Sequence, residues 1–409
     1  MNFDDTPQEA EFRTRARAWL DDNMPADWRD KTKTPEDILA LTQDWQARKA
    51  DAGWACIGWP EEFGGQGASA MEKAIWAQEE GEIGVLTSFP LVIAIALTGP
   101  MLLVHGTEAQ KQKHLPLIAR GEHIWCQLFS EPGCGSDLAA VRTRAERDGD
   151  DWVVNGQKLW TSFAHFADYA ILVARTDPTV PKHKGLSYFL VDMKTPGIET
   201  RPIKQMTGES EFNEVYLTDV RVPDKNRVGE VGEGWRVAMT TLMHERAGVA
   251  GADLFNFDGM LEQMETLLLD GEPAIENKGV RARLADFYLR ISGLANTNLR
   301  TLSALSRGQQ PGPEASIGKL VATEQLVDQA AFALDLQGMA GILTGDTLAT
   351  AGGAYQDSYM RDLCMRIAGG TDEIIRNTIA ERVLGLPPDI RIDKTAPFNE
   401  LPTSAAPRS

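Results

Sequence analysis

Three short stretches of this 409-residue chain hold residue types whose spacing could do chemistry. In residues 366–377, RIAGGTDEIIRN, Gly369 and Gly370 stand side by side before a helix expected to begin at Thr371. Two glycines there let a ligand approach the backbone closely. No acid or base stands on the loop itself, so its chemistry draws a proton acceptor from elsewhere. Asp372 and Glu373 fall on the helix start, where they favour its N-terminus electrostatically. In residues 126–145, CQLFSEPGCGSDLAAVRTRA, a strand runs into a Gly-rich turn. Gly133 and Gly135 would let N–H groups converge on a ligand oxygen, and Ser130 and Ser136 add hydroxyls; a plain loop is the competing reading. In NGQKLWTSF, Trp160 is followed by Thr161 and Ser162 at a strand end. An aromatic wall beside hydroxyls suits a flat, hydrogen-bonding ring such as a flavin, whereas a lone Trp is more often core.

The elements that must position these residues separate by period. Residues 1–121 read as helical, with stripes at Phe12, Ala16, Trp19 and Leu20 and at Ile38, Leu41, Trp45 and Ala52. A turn-rich stretch, residues 58–67, interrupts them, and helices resume over 69–80 and 90–105. From 122 to 230 short β-branched and aromatic runs, WVVNGQKLW, YAILVA, LSYFLVDM and EVYLTDVRV, predict a compact antiparallel β domain, with turn signals at Asp148-Gly149 and Asn155-Gly156. From 231 to 388 the helical period returns in long segments with broad apolar faces, as in a bundle. Residues 389–409 are polar and Pro-rich and read as a disordered tail. The fold class expected is mostly α with a central antiparallel β domain, and a cleft where the three parts meet.

Composition excludes several partners. Acidic residues number 59 against 41 basic ones, a net charge of −18, which argues against nucleic acid or an anionic membrane surface. The most apolar run, FPLVIAIAL, is too short to span a bilayer and reads as a buried helix. The acidic N-terminus has no signal core. The four cysteines, Cys56, Cys126, Cys134 and Cys364, form no CxxC and no metal spacing with histidine, as expected of reduced thiols in a cytoplasmic protein.

Taken together, SEPGCGSDL, RTRAERDGDDWVVNGQKLWTS, the GEGW of residues 232–235 and GGTDEIIRN resemble the acyl-CoA dehydrogenases, and the resemblance covers nearly the whole chain. It implies a helical domain, a β domain and a four-helix domain, with non-covalent FAD between the last two. The flavin-contact run falls on Gln127 to Ser136, including Gly135, with Phe129 and Ser130 at the isoalloxazine ring and Ser136 beside the CoA chain. Trp160, Thr161 and Ser162 match the second flavin contact, Ser162 near N5, and Thr371 and Glu373 match contacts from the last helix start. The chain departs from the family in two places. The Arg-x-x-Phe-Gly stretch that reaches the FAD pyrophosphate is absent from LLDGEPAIENKGVRARLADF, where Arg281 or Arg283 are the available substitutes, and the Gln-x-x-Gly-Gly loop is altered to DLQGMAG.

The resemblance also implies the reaction, α,β-desaturation of an acyl-CoA thioester, and its base. Many members carry the catalytic Glu where this chain has Gly369. Another branch places it on the first long helix of the last domain, directly before an Arg, and LMHERAG puts Glu245 and Arg246 there. Glu245 is therefore the expected base, Gly369 the space it needs and a donor to the thioester carbonyl, Gly370 its companion, and Arg246 a substrate-pocket residue. The implied partners are an acyl-CoA, an electron-transferring flavoprotein and a second copy or a related subunit. A flavin oxidase on the same fold, or a non-catalytic subunit completing a partner's FAD site, are the alternatives.

Overall fold

Thr6 opens the first helix, α1 (Pro7–Asn23): its hydroxyl accepts from Glu9 N–H, the Glu9 carboxylate accepts from Thr6 N–H, and Pro7 needs no partner at the first position. Thr34 and Asp37 repeat the device at α2 (Pro35–Asp51). The computed structural model to which these helices belong describes residues 5–25, 34–83, 90–251, 257–305, 316–344, 349–388 and 393–401. The chain divides into two units, one of residues 1–205, 209–245 and 389–409, the other of 206–208 and 246–388.

In the first unit, α1 buries Phe12, Ala16 and Leu20, four residues apart on one face, against Trp45 of α2 and Ile75 and Trp76 of α3 (Ala70–Ile83). Trp54 stacks on Trp76 at 4.7 Å. The apolar run after Pro90 is buried and helical, as its composition predicts, but residues 93–98 are wound as a π-helix, with Gly99 N–H reaching back five residues to Ala94. The helix continues as α4 (Gly99–His105), and α5 (Glu108–Ala119) follows.

Eight strands then form one sheet: β1 (Trp125–Leu128), β2 (Arg144–Asp148), β3 (Asp151–Ser162), β4 (Tyr169–Arg175), β5 (Leu186–Asp192), β6 (Ile198–Pro202), β7 (Phe212–Pro223) and β8 (Arg227–Val228). Their order is β6-β7-β3-β2-β4-β5-β8, with β1 joined to β4. Most pairs are antiparallel, as expected. The exceptions are β1, which runs parallel to β4, and a single parallel register between β2 and β4. Apolar residues fill both faces, so β4 is buried at every position from Ala170 to Arg175. Gly149, at φ 62°, makes the tight β2–β3 turn. Asn155-Gly156 makes no turn: it lies inside β3 at a register shift against β7, where a Cβ on Gly156 would come 2.3 Å from the Thr143 hydroxyl.

The segment expected to be a disordered tail is ordered over 393–401. Phe398 and Asn399 N–H donate to the carbonyls of Val180 and Pro178, and Phe398 is buried. Residues 389–392 and 402–409 lie outside the described residues. The first unit also takes in most of α6 (Gly234–Gly251), up to Glu245.

The second unit is helical: α7 (Phe257–Thr266), α8 (Lys278–Leu305), α9 (Ser316–Gln337), α10 (Ala354–Arg361) and α11 (Asp372–Arg382), with a minimal hairpin of β9 (Leu268–Leu269) and β10 (Glu272–Pro273). Met260, Met264, Leu284, Phe287 and Ala333 form its core.

Candidate active site

At the end of β1 the chain leaves the sheet through Phe129 and Ser130. Both carbonyls turn inward: Lys158 Nζ donates to Phe129 O at 2.9 Å, and Leu159 N–H donates to Ser130 O at 2.9 Å. These bonds tie the Gly-rich run to the end of β3, so the structure brings the first and second motifs together. Among the described residues no acceptor meets the N–H of Phe129 or of Ser130. Phe129 is buried and Ser130 half-buried, and adjacent backbone donors with no protein acceptor there are open to a ligand acceptor. The Phe129 ring is itself buried, edge-on to Tyr188 at 5.8 Å.

Beneath this run lies an ion pair that the sequence did not announce. Lys158 is wholly buried and donates to Glu131 Oε1 at 2.8 Å and to the Val173 carbonyl at 2.9 Å. Glu131 also accepts the N–H groups of Arg142 (2.7 Å) and Thr143 (2.9 Å). Burial pushes the Glu131 carboxyl up, but Lys158 and these hydrogen bonds outweigh it and hold it below the ordinary value, ionised. Two charges 27 residues apart in sequence thus form a fully engaged buried pair.

The turn itself is less demanding than its glycines suggest. Glu131 and Cys134 exchange backbone hydrogen bonds of 2.9 and 3.1 Å. Gly133 and Gly135 do not adopt positive φ, and a Cβ at either would meet nothing within 4 Å. Gly135 and Ser136 are exposed. Burial pushes the Cys134 thiol up to about 11, so it is no nucleophile.

At the end of β3 the register against β7 slips between Lys158 and Thr161, and Trp160 takes φ 60°. The bulge throws the indole outward: Trp160 is 57% exposed and touches Phe212 edge-on at 6.0 Å. A core role for Trp160 is thereby overturned. Thr161 is 1% exposed; its carbonyl accepts from Asn213 at 2.9 Å, while its hydroxyl is buried with no hydrogen-bond partner among the described residues, a polar atom left for a ligand. Ser162, half-buried, keeps the reachable hydroxyl.

Glu245 comes to β1, beside Gln127. On α6, Val237, Ala238 and Thr241 are buried, and Thr241 hydrogen-bonds the hydroxyl of Tyr188 at 3.0 Å. Glu245 lies one turn beyond Thr241 on that face. Gln127 of β1 donates from Nε2 to Glu245 Oε2 at 3.5 Å, and both residues are half-buried. His244 beside it is exposed, and the side chain of Arg246 lies outside the described residues.

In the second unit, Gly369 and Gly370 have φ of 65° and 98°, the left-handed region that favours glycine. Thr371 caps α11 by accepting from Ile374 N–H at 3.3 Å. Glu373 is exposed, its carboxyl lowered by the backbone N–H and Thr371 hydroxyl at the helix start. Asp372 does more than favour the helix electrostatically. It is buried between Lys319, whose Nζ lies 3.5 Å from Oδ1, and Arg366, whose Nε donates to Oδ2 at 2.7 Å. Lys319, 1% exposed, also donates to the Gly370 carbonyl at 2.8 Å. The substitutes considered for the missing pyrophosphate arginine are already engaged, Arg281 with Glu276 at 3.8 Å and Arg283 with Asp286 at 3.1 Å and over the Phe287 ring. Among the described residues no His, Cys, Asp and Glu group could hold a metal ion, and no helix is long and apolar enough to cross a membrane.

Three family models match in chain order: the acyl-CoA dehydrogenase N-terminal domain over residues 6–122, the middle domain over 126–220 and the C-terminal domain over 232–384. The chain belongs to the acyl-CoA dehydrogenase family. Acyl-CoA dehydrogenase IpdE1 of Mycobacterium tuberculosis is 36% identical over 383 residues, 92% of this chain and 97% of that protein. Acyl-CoA dehydrogenase FadE34 of the same organism is 40% identical over 353 residues, but the match spans 47% of its length. Among solved structures, the ChsE4-ChsE5 complex from Mycobacterium tuberculosis superposes with a TM-score of 0.80 at 32% identity, covering 95% of this chain and all of the matched one. The Tcur3481-Tcur3483 steroid ACAD superposes at 0.79 and 30% identity, with the same coverage.

Acyl-CoA dehydrogenases are flavin-dependent oxidoreductases, and members of the family bind FAD. The residues present fit a flavin at the end of β1: two adjacent unpartnered N–H groups, the reachable Ser162 hydroxyl and an outward indole form a donor set for a flat ring with acceptors at its edge.

Proposed function

We propose that this chain binds FAD non-covalently at the end of β1 and β3 and desaturates the Cα–Cβ bond of an acyl-CoA thioester, with Glu245 as the base. The observation that carries the reading is the pair of unpartnered N–H groups of Phe129 and Ser130 on the strand whose Gln127 touches Glu245. When bound, FAD accepts the hydride that leaves the β-carbon. The chain's own residues supply the rest. Glu245 takes the α-proton, and the Gln127 amide, which donates to its Oε2 at 3.5 Å, orients the carboxylate. Phe129 and Ser130 donate to the cofactor's edge, and Ser162 adds a hydroxyl.

The likeness to a steroid acyl-CoA dehydrogenase supports a bulky, ring-bearing acyl group, and the likeness to a complex of two named subunits supports assembly with a second copy or a related chain. An electron-transferring flavoprotein is the proposed electron acceptor. Glu245→Gln tests the centre of the reading. The variant keeps side-chain size and hydrogen bonding, so FAD binding survives. Flavin bleaching by a steroid-side-chain acyl-CoA falls by about 10²–10⁴-fold, the loss typical of a missing general base. Near-normal bleaching rates would place the base elsewhere.

A further inference from the structure

Lys158 makes two bonds beyond its ion pair, to the carbonyls of Val173 and Phe129. Glu131 is held by two backbone N–H groups as well as by Lys158, yet Nζ also meets the Phe129 carbonyl at 2.9 Å. That carbonyl shares its peptide with the Ser130 N–H, and a trans peptide aims the two in opposite directions. Among the described residues there are no cis peptide bonds. Lys158 lies in the interior, so the Ser130 N–H points away from it, and no acceptor among the described residues meets it. A cation bonded to a peptide oxygen draws electron density toward itself. The N–H at the other end becomes a stronger donor, an effect that a low-dielectric interior enlarges.

We infer that Lys158 is a positioning residue for the flavin: it fixes and polarises the Phe129–Ser130 peptide, so that the Ser130 N–H binds reduced flavin more tightly than oxidised flavin. The inference rests on the flavin reading proposed above. Its chemistry follows from where charge goes. A flavin gains negative charge at its pyrimidine edge on reduction, and a strengthened N–H donor at that edge favours the reduced form. Lys158 acts through the peptide and touches no reacting atom.

The test replaces the pair together, Lys158→Met with Glu131→Gln, in the full-length FAD-loaded protein. The pair is neutral as a whole and so is its replacement, so net charge beneath the ring is unchanged and only the polarisation is lost. The midpoint potential of the bound flavin is measured by dye equilibration. Reduced flavin should lose about tenfold more affinity than oxidised flavin, a potential lower by about 30 mV for a two-electron couple. An unchanged potential in a folded, FAD-loaded double variant reduces Lys158 to structural support and overturns the inference. Should that variant not fold, the unaltered protein loaded with FAD isotopically labelled at the pyrimidine carbonyl decides. A C2=O infrared stretch below that of free FAD in water supports the inference, and one at or above it overturns it. An unaltered protein that takes up no FAD overturns the flavin reading, and this inference with it.

Discussion

The Gly-rich turn of the first unit and the two-glycine loop of the second are held by the same device and shaped by different ones. In each, a buried lysine donates to a loop carbonyl and pairs with a carboxylate three residues or fewer along the loop: Lys158 with Phe129 and Glu131, Lys319 with Gly370 and Asp372. Among the described residues Glu131 makes no second ion pair, however, and is held by Lys158 and two N–H groups, whereas Asp372 also pairs with Arg366. The glycines differ as well. Gly133 and Gly135 keep ordinary backbone angles, while Gly369 and Gly370 sit in the left-handed region. A lysine on a carbonyl is thus the shared means of holding a loop, and glycine serves conformation at one loop and open surface at the other.

Single substitutions separate these roles. Lys158→Met should have the largest effect, about 3–5 kcal/mol of unfolding free energy in urea titrations, because it strands a buried carboxylate. A loss under 1 kcal/mol would mean that the Glu131 charge is solvated or protonated. Lys319→Met should cost less, about 2–3 kcal/mol, because Arg366 still neutralises Asp372 and mainly the Gly370 carbonyl is left unpaired. If it proves as costly as Lys158→Met, Arg366 contributes nothing. Gly370→Ala should cost about 1–2 kcal/mol from backbone conformation alone, since its Cβ would stand 3.5 Å from Ile375 Cδ1, an ordinary contact. Gly133→Ala should be nearly neutral in thermal unfolding, within about 0.5 kcal/mol. A marked loss of FAD affinity in that stable variant would show that the open surface at Gly133 is used.

Much of this was legible in the chain. Thr6-Pro7 with Glu9 and the Phe12, Ala16, Leu20 stripe fix α1, because capping and helical spacing are local. The β-branched runs fix the strands for the same reason. The family motifs named Gln127, Ser130, Trp160, Ser162 and Glu245, and the structure brings Gln127 to Glu245 and the end of β1 to the end of β3. What escaped was non-local. Lys158 and Glu131 stand 27 residues apart, and no local pattern pairs them. Thr161 shares a hydroxyl-rich motif with Ser162, and only the strand alternation after the bulge decides which one is enclosed. The parallel pairing of β1 with β4 depends on chain crossings that local pattern does not record. Asn155-Gly156 carries a turn signature that tertiary pairing overrode.

The returning segment 393–401 gives the chain an order in time. Phe398 lies over the buried guanidinium of Arg175 at 3.6 Å, and Asp393 joins Asp137 on Lys182. Every other partner in that cluster comes from the β domain, the carbonyls of Ala139, Val141 and Lys182 on Arg175 among them. During synthesis those strands leave the ribosome well before residue 393, by on the order of ten seconds at ordinary elongation rates. Until then the Arg175 face is open and Lys182 has one carboxylate instead of two. Until residues 393–401 are made, the β domain of a nascent chain therefore waits with an aromatic-sized gap over a buried cation, and their arrival closes it.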